Sequence, residues 1–304
     1  MMRDAMLRIL WQLAFGCPIG VCISLLCLSH SLASVDICQQ PADYSYLSVA
    51  YYNHEKSAIA RGIGQTNQEN YNFDLLFNLN ETWAFGVGYR YDVLAVDPIE
   101  LQTNGHLHTL FFPLHKQSKS ASKSFRFSIA PALSASSNVM KDPGEYSAET
   151  FQLLAALVWS RNLSDRTTLR YGVCGDHRFG TYEIYPSISI AWQPHVDWTI
   201  EFGFPTTRLT YHVSKNFNSS LRLAPDGNEW HIKNEGMEKQ SQLVYEASLV
   251  EWTFNWQANK HFTVTGSVGW QFHNRYDVTL LDDSQVRLSS DSVTRIGATL
   301  AWRF

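Results

Sequence analysis

From residue 69 the chain reads Glu-Asn-Tyr-Asn-Phe-Asp-Leu-Leu-Phe-Asn-Leu-Asn, which sets Tyr71, Phe73, Leu75, Phe77 and Leu79 on one side of an extended strand and Asn70, Asn72, Asp74 and Asn78 on the other. A helix repeats its faces about every 3.6 residues, so strict period two over this length specifies a strand with one apolar and one polar face. The alternation resumes at Trp83, Phe85, Val87, Tyr89, Tyr91 and Val93 against Ala84, Gly86, Gly88, Arg90 and Asp92. It recurs at Phe125, Phe127, Ile129 and Leu133, and again at Phe262, Val264, Val268, Trp270 and Phe272. Strands of soluble sandwiches usually run about 5 to 6 residues, whereas a tilted strand needs about 9 to 11 to cross a bilayer. Repeated strands of ten or more predict a transmembrane barrel.

Composition agrees. Across 304 residues, 45% are hydrophobic, 13% aromatic and only 17% charged, with a formal net charge of -4. A disordered chain is poorer in aromatics and richer in charge, and a nucleic-acid binder is usually basic, so no nucleic-acid partner is expected. A multi-span helical protein would carry many long apolar runs. Dividing the chain at its turn signals predicts an all-β, antiparallel up-and-down barrel of about 14 strands, or 12 if 207–225 is an extracellular loop. Connections at 80–82, 162–165, 194–197, 214–218 and 257–260 are short, and those at 54–67, 94–104, 135–148, 225–241 and 278–287 are long. This is the asymmetry between periplasmic turns and extracellular loops in outer-membrane barrels. Two connections depart from it: 116–123 is long where a short turn belongs, and 205–207 is short where a long loop belongs. Trp83, Trp159, Trp192, Trp198, Trp256 and Trp302 all fall beside the short turns or at the C-terminus, the level of a periplasmic aromatic girdle.

The ends of the chain carry addresses. Residues 9–32 form a long apolar run with Arg3 and Arg8 ahead and Ser31-Leu32-Ala33 behind, a signal peptide over 1–33, with an uncleaved anchor as the alternative. A periplasmic leader over 34–43 and the barrel over 44–304 follow. Cys38 and Cys174 remain after cleavage; one bridge is allowed in an oxidising periplasm, but two unpaired thiols are the preferred reading, since Cys174 falls mid-strand and Cys38 in the leader. At the other end Ile296, Ala298, Leu300, Trp302 and Phe304 share one face, resembling the C-terminal signal by which the barrel-assembly machinery recognises its clients.

The polar faces line the lumen in such a barrel, and they place Arg90, Asp92, His106, His108, Arg126, Arg170, Asp176, Arg275 and Arg295 there, together with Asn70, Asn72, Asp74, Glu201, Arg208, Arg222 and Arg303. Charges of both signs either pair across the lumen or line a narrow pore. His106 and His108 are expected near the outer rim, with Asp92 opposite His106 and Arg90 opposite His108. Such a cluster offers metal or general-base chemistry, but two imidazoles without a fixed third ligand recur by chance and Arg90 disfavours a cation. No metal, cofactor or catalytic residue is assigned, and an enzyme is not expected. Within strands, His106, His108, His212 and His273 all fall on the polar side. Pro113, Pro131, Pro186 and Pro205 remove ladder donors and are read as bulges or kinks.

The segments Arg170-Tyr-Gly-Val-Cys-Gly-Asp-His-Arg-Phe-Gly180, Ile184-Tyr-Pro-Ser-Ile-Ser-Ile-Ala-Trp-Gln-Pro194, Asp197-Trp-Thr-Ile-Glu-Phe-Gly-Phe-Pro205 and Ala224-Pro-Asp-Gly-Asn-Glu-Trp230 resemble an uncharacterised family of bacterial outer-membrane β-barrels, a domain of unknown function. The resemblance carries no catalytic or ligand residues. The expected function is a narrow pore or transporter for small solutes in the cell outer membrane. Its rival is a closed barrel whose loops, above all 225–241 with Trp230, bind a partner or lipopolysaccharide, with an outer-rim enzyme third.

Overall fold

A strand with one apolar face still has two edges of unpaired backbone donors and acceptors, and away from water a set of such strands satisfies them only by closing on itself. The computed structural model, which describes residues 36–39, 43–59, 64–97, 105–233, 241–279 and 285–304, shows that closure. The predicted signal peptide and the cut after Ala33 lie outside the described residues. In chain order the strands are β1 (Tyr46–His54), β2 (Ser57–Ala58), β3 (Gln65–Asn78), β4 (Trp83–Asp97), β5 (His106–Phe111), β6 (Leu114–Lys119), β7 (Lys123–Ser136), β8 (Phe151–Ser164) and β9 (Thr167–Phe179). They continue as β10 (Thr181–His195), β11 (Trp198–Phe204), β12 (Thr207–Ser214), β13 (Phe217–Ile232), β14 (Ser241–Gln257), β15 (Phe262–Thr279), β16 (Gln285–Ser290) and β17 (Val293–Arg303). Neighbours around the wall are antiparallel, a single parallel bridge joins His231 of β13 to Ala135 of β7, and β1 pairs with both β3 and β17, which closes the ring.

β1 with β2, β5 with β6, and β16 with β17 are single crossings in two pieces, so the described segments make an antiparallel barrel of 14 strands. Pro113 separates β5 from β6, yet their register against β7 runs on unchanged, from Phe111 opposite Ala132 to Leu114 opposite Ile129. Residues 207–225 form β12 and the lower half of β13 rather than a loop, which rules out 12 strands. β6 extends to Lys119, so the turn expected to be long is short. The short turns carry their own chemistry: the Asn80 side chain accepts from the amides of Thr82 and Trp83, and Asn259 does the same for His261 and Phe262.

The outer face is rich in exposed apolar side chains. Phe202, Ile184 and Ile296 are 72%, 71% and 63% exposed, densities of bare hydrocarbon that a water-facing surface does not sustain. Trp159, Trp192, Trp198, Trp256 and Trp302 are exposed on this face at the short-turn end.

The wall is uneven, and this shapes the interior. β11 and β12 have only 7 and 8 residues, so above Leu223 the ladder of β13 with β12 ends. The upper half of β13 crosses the lumen instead. Asn228 donates to Thr109 of β5 at 2.9 Å, while Ser134 of β7 and Gln152 of β8 donate to the Glu229 carbonyl at 2.6 and 2.8 Å. Residues 225–232, expected in a loop, are therefore strand paired to β14, with Pro225 opposite Ser248 and Ile232 opposite Ser241. Trp230 is 1% exposed, packed with Leu94, Leu107, Ile232, Leu243, Tyr245, Tyr276 and Val278 into an apolar cluster that closes the long-loop end. A short helix, α1 (Ser137–Lys141), lies over it, where Asn138 donates to the Lys233 carbonyl and Lys233 pairs with Glu145 at 2.5 Å.

Two glycines permit the crossing. Gly180, at φ +94°, alone joins β9 to β10. Gly227 packs on that turn so closely that a Cβ would lie 2.7 Å from the Gly180 nitrogen and 2.8 Å from the carbonyls of Arg178 and Tyr245. None of these backbone atoms can step aside. Gly227→Val is expected to cost about 1 to 3 kcal/mol, read as a lower midpoint of heat-modifiability on gels of the detergent-solubilised barrel. Gly266→Ala, whose Cβ meets nothing within 4 Å, should leave the midpoint unchanged.

Candidate functional site in the lumen

Below the apolar cluster the inward positions turn polar. β14 shows the change within one strand: Leu243, Tyr245, Ala247 and Leu249 face inward above, Glu251, Thr253 and Asn255 below. At this boundary lies a chain of ion pairs. Arg90 binds Asp92 at 2.8 Å and approaches Asp226 at 3.9 Å; Arg295 reaches Asp226 at 3.4 Å and Glu251 at 2.6 Å; Arg222 completes the chain on Glu251 at 2.9 Å. These residues come from β4, β13, β14 and β17, so the network ties the infolded β13 to distant parts of the wall. Gln271 donates to Asp226 at 2.8 Å, Asn70 links Asp92 to His54, and Arg295 lies over the Tyr52 ring at 4.5 Å. A cavity of about 110 Å³ adjoins the network, bounded by Asn72, Arg90, Arg178, Arg222, Asp226 and Arg295 among others.

Nearer the short turns is a second cavity of about 80 Å³, with Gln117, Ser124, Ser160, Arg126, Arg170 and Arg208 in its wall. Arg170 pairs with Glu201, which also accepts from Ser189 at 3.2 Å. Asp36 and Arg178 line both cavities, and Cys38 and Gln39 line the second. The leader expected in the periplasm is thus inside the barrel over residues 36–39. Ile37 is fully buried against Ala130, Ala156, Val158 and Tyr185. Asp36 pairs with Arg178, which also holds Asp176 at 3.2 Å. Burial would raise the Asp36 carboxyl, but Arg178 outweighs it and holds the group below its ordinary value, so it is ionised at neutral pH.

Cys38 and Cys174 form a disulfide with Cα atoms 6.0 Å apart. This corrects the expectation of two free thiols. Cys174 does sit mid-strand, but it faces the lumen, and the leader that brings Cys38 to it runs inside the ring, a placement that strand periodicity does not encode.

Of the residues assigned to the lumen, Arg90, Asp92, Arg126, Arg170, Asp176 and Arg295 point inward, as do Glu201, Arg208 and Arg222. His106, His108 and Arg275 do not. In β5 the inward residues are Leu107, Thr109 and Phe111; Asp92 faces Leu107 and Arg90 faces Thr109, so the imidazoles lie outside, opposite Val93 and Tyr91. There His106 and His108 stack on Tyr91 at 5.9 and 5.0 Å, and Tyr91 continues to Tyr71 and Tyr51, an aromatic belt on the outer face. In β15 a bulge near His273, itself exposed at φ +56°, shifts the phase so that Asn274, Tyr276 and Val278 turn inward, while Arg275 turns out to pair with Glu246 at 2.5 Å. At His106 and His108 the barrel is filled by hydrocarbon, which reverses the rule that polar residues face the lumen, whereas Arg275 is displaced by the bulge. Two network members lie outside the sequence-based assignment: Asp226, read as loop, and Glu251, reachable by counting inward positions upward from Asn255 and Thr253; Arg178, which pairs with Asp36 and Asp176, is also outside it.

Glu251 is 1% exposed and shared by two arginines, so its loss leaves buried guanidinium charge uncompensated. Glu251→Gln is expected to destabilise the barrel by about 3 to 5 kcal/mol, whereas Glu246→Gln at the half-exposed Arg275 pair should cost at most about 1 kcal/mol; denaturant titrations of tryptophan fluorescence in detergent compare them.

No curated protein matches the sequence. Among solved structures, the COG4313 outer membrane channel from Pseudomonas putida F1 aligns at 9% identity and a TM-score of 0.47, over 90% of this chain and 100% of that one. A Pseudomonas aeruginosa FadL homologue aligns at 10% identity and 0.47, over 85% and 89%. The Pseudomonas putida toluene transporter TodX aligns at 10% and 0.38, over 86% and 90%. The model of the domain of unknown function DUF6268 matches residues 37–282, which spans the leader and nearly all of the barrel, and the chain belongs to that family.

Proposed function

We propose that the protein is an integral outer-membrane barrel that passes small polar solutes along a narrow, gated lumen. The observation that carries this reading is a pair of lumen cavities with arginines in both linings, which share Asp36 of the leader and Arg178 of the wall. Fourteen strands enclose more space than side chains fill in the smallest barrels, and here the surplus is a lumen lined by charge. The exposed apolar face supports a bilayer location, with the short turns in the periplasm and the long loops outside, toward lipopolysaccharide. Ile296, Ala298, Leu300, Trp302 and Phe304 all lie on the outer face, where they serve as the signal for the barrel-assembly machinery.

One observation favours the rival reading of a closed barrel that acts through its loops: the apolar cluster around Trp230 spans the long-loop end. The same burial removes Trp230 from any loop surface, and the outward-facing His106 and His108 leave the rim-enzyme reading without its cluster. Single-channel recording from the folded protein in planar bilayers, with the Cys38–Cys174 bridge intact and after its reduction, separates pore from closed barrel. Discrete current steps are expected after reduction, smaller than those of a 16-stranded porin in the same salt. A folded barrel that is silent in both states moves the function to the loops.

A further inference from the structure

The leader occupies the lumen as a ligand occupies a site. Its carboxylate, at Asp36, lies on Arg178; the carbonyls of Cys38 and Gln39 accept from Arg126; and the Gln39 side-chain oxygen accepts from Arg208 at 3.3 Å. The three guanidinium groups come from β7, β9 and β12, so the wall has gathered them from separate strands around one short acidic segment. Arg126 is the informative member. It is 6% exposed, its hydrogen bonds go to neutral carbonyls, and its Nε has no partner among the described residues. No carboxylate lies within ion-pair distance of it among the described residues. A buried guanidinium facing only carbonyls is costly to keep, and such a charge inside a membrane protein marks a solute path.

We propose that the lower cavity is a binding site for small organic anions bearing a carboxylate, with Arg126, Arg178 and Arg208 as its recognising groups, and that the leader is a tethered occupant which must leave before solute can pass. The inference rests on the pore reading and adds the class of solute. The bridge supplies the tether: it joins positions 136 residues apart and fixes the segment next to Arg178, four residues along β9 from Cys174. Carboxylates suit the site because guanidinium groups donate in a fork that matches two oxygens, and because the occupant itself presents a carboxylate and carbonyl oxygens at the spacing of the arginines.

The test compares the bridged protein with two forms that free the leader. One is the double variant Cys38→Ser, Cys174→Ser. The other is the wild type treated with dithiothreitol, which is oxidised to its cyclic disulfide as the bridge becomes two thiols, so that no substitution is needed. Each is confirmed as folded by heat-modifiability and recorded in planar bilayers under a potassium chloride gradient, with succinate as probe. The freed forms are expected to conduct more than the bridged form, to select anions, and to be blocked by succinate but not by glycerol. Arg126→Gln in the freed background should weaken the block by at least about tenfold. Equal current from bridged and freed forms would overturn the leader as occupant. Cation selectivity, or a succinate block indifferent to Arg126→Gln, would overturn the anion site while leaving the pore standing. Silence from every folded form would remove the pore reading and this inference with it.

Discussion

Every crossing in this protein is a strand with hydrocarbon on one side, and in hydrocarbon an unpaired backbone amide or carbonyl costs several kcal/mol. The ladder of β1 against β17, from Tyr46 opposite Arg303 to His54 opposite Arg295, removes the last two edges. Closure then dictates the rest. It gives each strand an inside and an outside, it pools the polar faces of distant strands in one enclosed space, and it makes that space larger than side chains fill unaided. The ion pairs, the infolded upper half of β13 and the leader are three ways in which the interior is occupied.

The interior is divided by polarity. In its upper part, apolar side chains from β4, β5, β13, β14 and β15 meet across the axis around Trp230; in its lower part, arginines and carboxylates face each other. The division follows from unequal strand lengths. Because β11 and β12 end early, β13 loses its β12 ladder above Leu223, and turning it inward gives Asn228 and the Glu229 carbonyl hydrogen-bond partners on β5 and β8 and bridges His231 to Ala135 of β7. The apolar residues of β13 follow it in and need apolar partners, which Leu107, Tyr276 and Val278 supply. The chain of charges from Asp92 to Arg222 sits at the seam, where carboxylates and guanidinium groups satisfy one another in the absence of bulk water.

The lower chamber is organised around charge that the wall alone does not balance. Arg178 has two carboxylates, one from its own strand and one from the leader, and Arg126 meets leader carbonyls. A segment outside the barrel in sequence thus completes its electrostatics, and the disulfide makes that completion covalent.

Much of the wall was legible in the chain. Alternation at 69–79 and 83–93, Asn-based turns at 80 and 259, and the tryptophans beside the short turns specify strand number and the two faces, because side-chain period and turn geometry are local properties of the backbone. The inward direction of Arg90, Asp92, Arg126, Arg170 and Arg295 followed from the same periodicity. The tertiary structure decided what fills the ring. Periodicity assigns each residue a face but says nothing of what the face meets, so His106 and His108 went to the wrong side where Leu107 and Phe111 had apolar partners inside. A single bulge at His273 reversed the phase of Arg275, since one inserted residue flips every side chain beyond it. The leader has no alternation to read, and its place in the lumen, the bridge to Cys174 and the arginines gathered around it depend on contacts across the barrel that exist only once the ring has closed.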